Sequence, residues 1–242
     1  MSKDINFRAV GKTEFEVQPR PYPAVKKLPE WFLSASPFID RPGWPNDGKL
    51  HFRNRDFNAT FKKCVPLLDG LSSGYIIPLW SDVMIEQNNG KSEIYWKTIN
   101  SVFTLDGNAS SVTIPAPVGY DQKLVYKYNN CWIPQTPKGY SCLFVSPLGY
   151  NDLPFYPIPS IVDTDRSSME LLFPVWVKKD FEGIVEKNTP IVQVIPFKRD
   201  DWNSTFDYYE DREYKNIVEE RSVKTTMIGH YLKNYHSKKK FK

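Results

Sequence analysis

Between Lys138 and Arg199 the sequence is a succession of short apolar and β-branched runs, each cut off by Pro, Gly, Asn or Asp. Lys138-Gly139-Tyr140-Ser141-Cys142-Leu143-Phe144-Val145 leads into a proline-broken corner that ends in Ile161-Val162-Asp163-Thr164-Asp165. Leu171-Leu172-Phe173-Pro174-Val175-Trp176-Val177 follows, and Glu186 to Phe197 closes the stretch with Thr189-Pro190-Ile191-Val192-Gln193-Val194-Ile195-Pro196-Phe197. Runs of this length between turn residues are the pattern of strands joined by tight turns. Twenty prolines against twelve glycines extend the constraint over most of the chain. An interior proline removes a backbone donor and clashes with the preceding turn, so long helices are disfavoured. The expected fold is mainly β, a sandwich of short strands centred on residues 138–199.

Upstream, Phe15-Glu16-Val17 alternates and is expected to be a strand. Pro19, Pro21, Pro23 and Pro29 then make an extended arm. Leu28-Pro29-Glu30-Trp31-Phe32-Leu33 predicts one helical turn with Pro29 at its first position and both aromatics packed. Residues from Ser36 to Arg55, including Trp44, read as an irregular loop. The apolar run Leu67–Leu71 predicts a short helix or turn that closes at Gly74 in the left-handed region. Tyr75 to Glu86 reads as a strand bent at Pro78, on an edge or at a bulge. Asn88-Asn89-Gly90 then predicts a hairpin with Glu93-Ile94-Tyr95-Trp96-Lys97, since Asn-Gly accepts positive φ at both turn positions. Weaker strands are expected at Phe103–Leu105 and Ser111–Ile114, around Asp106-Gly107-Asn108, then at Leu124–Tyr128 and Cys131–Ile133.

After Arg199 the composition changes. Asp200-Asp201-Trp202-Asn203-Ser204 is a polar link. Ile217, Val218, Met227, Ile228, Tyr231, Leu232 and Tyr235 recur at largely helical spacing, which predicts a C-terminal amphipathic helix from about Asp211 to Tyr235, weakened at Gly229. The division expected is a β-rich domain over 1–199 and, over 200–242, the link, the helix and a Lys-rich tail.

The net charge of +4 is mild. Lys238, Lys239, Lys240 and Lys242 concentrate much of it in a terminus expected to be solvated, and no basic stripe runs through the body, so nucleic-acid binding is disfavoured. Cys64, Cys131 and Cys142 form no CxxC pair, and His51, His230 and His236 are scattered. Neither a disulfide framework nor a metal site is expected, and the cysteines read as core residues. No apolar run has the length of a signal peptide core or a membrane span. The expectation is a soluble protein of a reducing compartment such as a host cytoplasm, with no membrane partner.

Several blocks, in order along most of the chain, resemble an uncharacterised domain family of bacteria and phages. They are Leu28-Pro29-Glu30-Trp31-Phe32, Lys63–Asp69 with Ser73–Leu79, Trp132-Ile133-Pro134, Pro137–Phe144, Val162–Asp165 and Thr189–Phe197. No activity comes with that resemblance. Residues 138–199 also resemble the β-clip fold of dUTP pyrophosphatases and dCTP deaminases. Ile161-Val162-Asp163-Thr164-Asp165 stands where those enzymes carry their apolar-Ile-Asp segment. Lys187-Asn188-Thr189-Pro190-Ile191-Val192-Gln193-Val194-Ile195 stands where they carry a Lys-Gly-Asp turn and strand, with Asn188 in place of glycine. The likeness implies Asp163 as the base that orients water and Gln193 beside the phosphates. Ser146 and Asp165 become further nucleotide contacts, Glu170 the deaminase glutamate, and Mg²⁺ the cofactor.

The departures from that pattern bear on function. Arg166-Ser167-Ser168 replaces the aromatic gate, Pro147 removes an amide from the phosphate loop, and the Gly-rich arm is missing, so triphosphate charge would be poorly neutralised. Asp163 and Asp165 also suit turn capping through side chain to backbone hydrogen bonds. The sequence therefore favours a non-enzymatic binding or structural assembly protein without a cofactor, such as a phage-encoded virion component with protein partners or further copies of itself. The alternative is a nucleotide-processing enzyme.

Overall fold

A computed structural model of the chain describes residues 3–38, 60–106, 114–224 and 230–242. Within them, in chain order, the strands are β1 (Asn6–Ala9), β2 (Tyr22–Pro23), β3 (Tyr75–Pro78), β4 (Val83–Asn88), β5 (Lys91–Tyr95), β6 (Phe103–Leu105), β7 (Tyr120–Asn129), β8 (Trp132–Gln135), β9 (Tyr140–Val145), β10 (Phe155–Pro157), β11 (Ser160–Val162), β12 (Leu172–Lys178), β13 (Gly183–Val185) and β14 (Pro190–Lys198). The α-helices are α1 (Lys12–Val17), α2 (Glu30–Ser34), α3 (Val65–Leu71), α4 (Asp211–Lys224) and α5 (His230–Asn234). The protein is thus mainly β. The chain divides into two compact units, one of residues Met1–Lys27, Leu71–Arg199 and Phe241–Lys242, the other of Leu28–Gly70 and Asp200–Lys240.

The first unit holds the sheets, all of whose pairings are antiparallel. A five-stranded sheet runs β11-β9-β14-β3-β2, a four-stranded one β10-β12-β7-β6 and a three-stranded one β13-β4-β5, with β1-β8 as a pair. One apolar core draws on the three larger sheets, with Ile77, Phe144, Val192 and Val194 from the first, Phe103, Phe155, Val175 and Val177 from the second, and Val83, Ile85 and Val185 from the third. Phe103 meets Phe155 at 4.9 Å between ring centroids, and Phe144 meets Phe173 at 5.2 Å. The Tyr128 hydroxyl, buried among these rings, donates to the Pro78 carbonyl at 2.7 Å, which satisfies both groups. Pro190 to Val194 is buried without a break. Strand β14, the central strand of the five and covered on both faces, therefore reads as a continuous buried run, Gln193 included, rather than an alternation.

Turn chemistry closes the strands as the sequence predicts. Asn89 and Gly90 have φ of 51° and 72°, and the β4–β5 register runs from Met84↔Tyr95 to Asn88↔Lys91. Asn188 holds φ 72° at the turn before β14. Gly74, after α3, has φ 70°, and there only glycine fits, because a Cβ would overlap the carbonyl oxygen of Val194.

Three local expectations are corrected. Phe15-Glu16-Val17 belongs to α1, not to a strand. Three alternating residues are too few to impose a period of two, whereas Lys12 and Glu16 pair across one helical turn at 3.8 Å and Phe15 reaches the Trp132 ring. Pro78 ends β3 rather than bending a longer strand, and the register shift lies opposite, between Pro190 and Val192. In α2, Phe32 is buried but Trp31 is 43% exposed and meets the Phe32 ring edge-on at 5.7 Å, so only one of the two aromatics is buried.

In the second unit Lys62 Nζ donates to the Phe32 and Leu33 carbonyls and lies 4.8 Å from the Phe32 ring centroid, clamping α2 from its C-terminal end. Asp69 of α3 meets His236 Nε2 at 3.0 Å and Lys239 Nζ at 2.7 Å, and the hydrogen bond from Lys239, with that to His236, holds its carboxyl below the usual range. Residues 201–210 carry no regular secondary structure and are exposed throughout. Helices α4 and α5 fall inside the span expected to be helical, and Tyr214, Ile217 and Val218 of α4 are exposed. Met227, Ile228 and Gly229 lie outside the described residues, as do His51, most of the expected loop around Trp44, and most of the turn and strand expected at 107–114.

Candidate functional site

The paired aspartates sit on the turn that follows β11, at one end of the five-stranded sheet. Two registers bring three chain segments together there. Val162 of β11 lies opposite Cys142 of β9, and Ser141 of β9 lies opposite Phe197 of β14, so Arg199, just past β14, arrives beside the turn. Arg199 Nη2 meets Asp165 Oδ2 at 2.5 Å and its Nη1 donates to Asp165 Oδ1 at 2.8 Å, a two-pronged pairing. The same Nη1 lies 2.8 Å from Ser141 Oγ, 2.9 Å from the Tyr140 carbonyl and 3.2 Å from Asp163 Oδ1. Ser141 Oγ donates to Asp163 Oδ1 at 2.7 Å, and the Gly139 amide donates to Asp165 Oδ2 at 2.8 Å. Between the aspartates, buried Thr164 shares a 2.7 Å hydrogen bond with Thr136 and donates to the Cys142 sulfur at 3.3 Å.

This arrangement assigns the two carboxylates different fates. The Asp165 side chain is 2% exposed, and the hydrogen bonds from Arg199 and then from Gly139 hold its carboxyl far below the usual range. The guanidinium is in turn raised, chiefly by its hydrogen bond to Asp165. A carboxylate so deeply stabilised is a poor proton acceptor, since a general base works best with a pKa near the operating pH. Asp163, with a side chain 48% exposed, keeps access to water but has Ser141 and Arg199 on one oxygen. The cluster ties the β11 turn to the ends of β9 and β14. Asp165 caps the neighbouring Lys138-Gly139 turn rather than its own, and the backbone carbonyl of Asp163 accepts from the amides of Arg166 and Ser167 at 2.9 Å.

Gln193 lies at the other end of the same strand pair, opposite Val145. Val145 is four residues along β9 from Ser141, roughly 13 Å at the rise of a strand. Its side chain is 1% exposed and fully used, accepting from the Leu148 amide at 2.7 Å and donating to the Ser73 carbonyl at 2.6 Å. It joins the loop after β9, which begins at Ser146, to the turn before β3. Replacing Gln193 by leucine is expected to cost about 1–3 kcal/mol, because it removes both hydrogen bonds of a buried amide that ties two loops together. Urea unfolding of the purified variant measures this.

Glu170 is elsewhere again. It lines an open hollow of about 370 Å³ with Glu14, Gln18, Trp80, Asn130 and Cys131. Burial pushes the Cys131 thiol up to about 12, with the nearby charges of Glu14 and Glu170 adding to it, and burial likewise raises Cys142 to about 11. Thiols held protonated in this way are not nucleophiles at neutral pH. The five side chains drawn from the β-clip likeness therefore occupy three places: Asp163 with Asp165, Ser146 with Gln193, and Glu170 in its hollow.

Arg199, Ser141 and Gly139, which complete the aspartate cluster, carry no mark in the sequence beyond their places at strand ends. Among the described residues no group of three or more His, Cys, Asp or Glu is placed to hold a metal ion, and no helix is long and apolar enough to cross a membrane. Compared with models of protein families, with curated proteins and with solved structures, the chain matches none.

Proposed function

We propose that the chain is a non-enzymatic binding or structural assembly protein, of the kind a phage encodes for its virion, built on a β-clip-like sandwich with an amphipathic C-terminal helix. The observation that carries this reading is where the polar chemistry goes. The side chains that would do nucleotide chemistry are spent on joining strands and loops, with Asp165 held by Arg199 and Gln193 by Leu148 and Ser73. Large aromatics are meanwhile left on the surface, Trp202, Phe206, Tyr208 and Tyr209 among them. Exposed aromatic groups near one another are a mark of contact with another macromolecule. Membership of the uncharacterised bacterial and phage family, residence in a reducing host compartment and incorporation in a particle belong to the same proposal.

Sedimentation of the purified full chain, run beside a thermal-shift panel of deoxynucleoside triphosphates with Mg²⁺, tests it. Self-association or recovery in a particle, with no nucleotide shift, is the expected result. A strictly monomeric chain stabilised by one nucleotide, with turnover lost in Asp163→Asn, would replace it with the nucleotide-processing reading.

A further inference from the structure

Residues Asp200 to Asp211 combine two properties that suit contact with another molecule. They hold five carboxylates, Asp200, Asp201, Asp207, Glu210 and Asp211, and no basic residue. They also present Trp202, Phe206, Tyr208 and Tyr209 at 61–95% exposure on backbone without regular secondary structure. At about 150–250 Å² buried per aromatic side chain, four of them supply roughly 600–1,000 Å². A standard interface uses about 800 Å² per partner.

The first unit carries a surface of matching chemistry. Phe15, Val17 and Val25 are about half exposed there, set among cations. The Arg20 guanidinium stands 4.7 Å from the Phe15 ring centroid, Lys187 Nζ donates to the Val17 carbonyl at 3.4 Å, and Lys27 Nζ donates to the Asn188 carbonyl at 3.4 Å. These contacts weld α1, the connection that follows it and the turn before β14 into one face. Lys12, Arg20, Lys26, Lys27 and Lys187 outnumber Glu16, Asp82 and Glu186 on it; Glu16 is already paired with Lys12, and Asp82 accepts from the Lys187 amide at 2.6 Å.

We propose that the acidic aromatic segment Asp200–Asp211 of one chain docks on the basic apolar face of a second copy, with Phe15, Val17 and Val25 receiving its aromatic side chains and Arg20, Lys26 and Lys187 its carboxylates. Charge complementarity fits a second copy as the partner. The chain is +4 overall and the segment is −5, so the remainder carries +9, and each copy attracts the segment of the other. Reciprocal exchange places the same two surfaces in contact twice and closes a symmetric pair. The inference rests on the assembly reading and names its contact.

The test is sedimentation velocity of the full chain at low and high salt, applied to the unaltered protein, to W202A/F206A, to K26E/K27E, and to K26E/K27E combined with D207K/E210K. Association that weakens with salt is expected. Each of the first two variants should lose about tenfold or more in affinity, since buried aromatic anchors and matched charges dominate such contacts, and the combined charge exchange should restore it. Circular dichroism confirms that the variants stay folded. If the unaltered chain associates and W202A/F206A associates equally well, the contact lies elsewhere and this inference falls while the assembly reading stands. If the unaltered chain is monomeric at low salt, whether or not its segment folds back on itself, this inference falls, and the assembly reading falls with it unless the chain is recovered in a particle.

Discussion

Replacing Gly74 by alanine is expected to be the most damaging single-methyl addition to the β unit, with a loss of at least about 3 kcal/mol in unfolding free energy. Two effects add. The backbone at Gly74 sits at φ 70°, where an L side chain costs about 1–2 kcal/mol. The new Cβ would also overlap the Val194 carbonyl, and that group belongs to β14, the strand with both faces covered. A backbone atom in a central strand gives way only if the β3–β14 pairing shifts, because cores of native density transmit such strain. Gly119 and Gly139 are the controls. Both have positive φ, but open space surrounds the added Cβ, so alanine there should show the conformational cost alone. Chemical denaturation of the three variants separates the two contributions, and equal losses at all three would show that the contact with Val194 is unimportant.

The second large effect is expected at Arg199, and its size changes with pH. In the intact protein Asp165 is depressed below its unfolded value, so its contribution is fully present above about pH 4, the ordinary carboxylate range. It is lost as pH falls below that value toward the folded pKa. Arg199→Ala removes the cation and leaves a carboxylate of 2% exposure with only the Gly139 amide. Burial then opposes ionisation, so the variant should gain stability relative to the intact protein on acidification. At neutral pH its melting temperature should drop by about 5 °C or more. Between pH 7 and pH 4 the gap should narrow. Arg199→Lys keeps the charge but not the planar fork, and should fall between the two. Parallel melting curves from neutral to acid pH would overturn the assignment of Asp165 as the partner held ionised.

How much of this was legible beforehand depended on how local the determinant is. The turn at Asn89-Gly90, the left-handed Gly74 and Asn188, and the strands of residues 138–199 are set by neighbours in sequence, and reading them required only backbone preferences. Helix α1 escaped because its alternating residues are few and its Phe15 is placed by Trp132, far along the chain. The aspartate cluster was visible by half. Asp163-Thr164-Asp165 announced a turn or a catalytic pair, but not their cation Arg199, which reaches them only through the β9–β14 register. Gln193 shows the same limit. A buried amide looks the same in sequence whether it meets a phosphate or, as here, the Leu148 amide and the Ser73 carbonyl.

The strand order β11-β9-β14-β3-β2 also governs when the fold can form. Strand β14 pairs on one side with residues 75–78 and on the other with residues 140–145, and its own residues are 190–198. Until ribosomal synthesis has passed that point, β3 has no partner on one side and β9 lacks its central neighbour. Closing a loop of more than a hundred residues before any reward is slow, so folding is expected on the millisecond to second scale typical of non-local β topologies. During that interval the nascent chain displays unpaired edges rich in Ile, Val and Phe, the condition under which chaperone engagement decides yield.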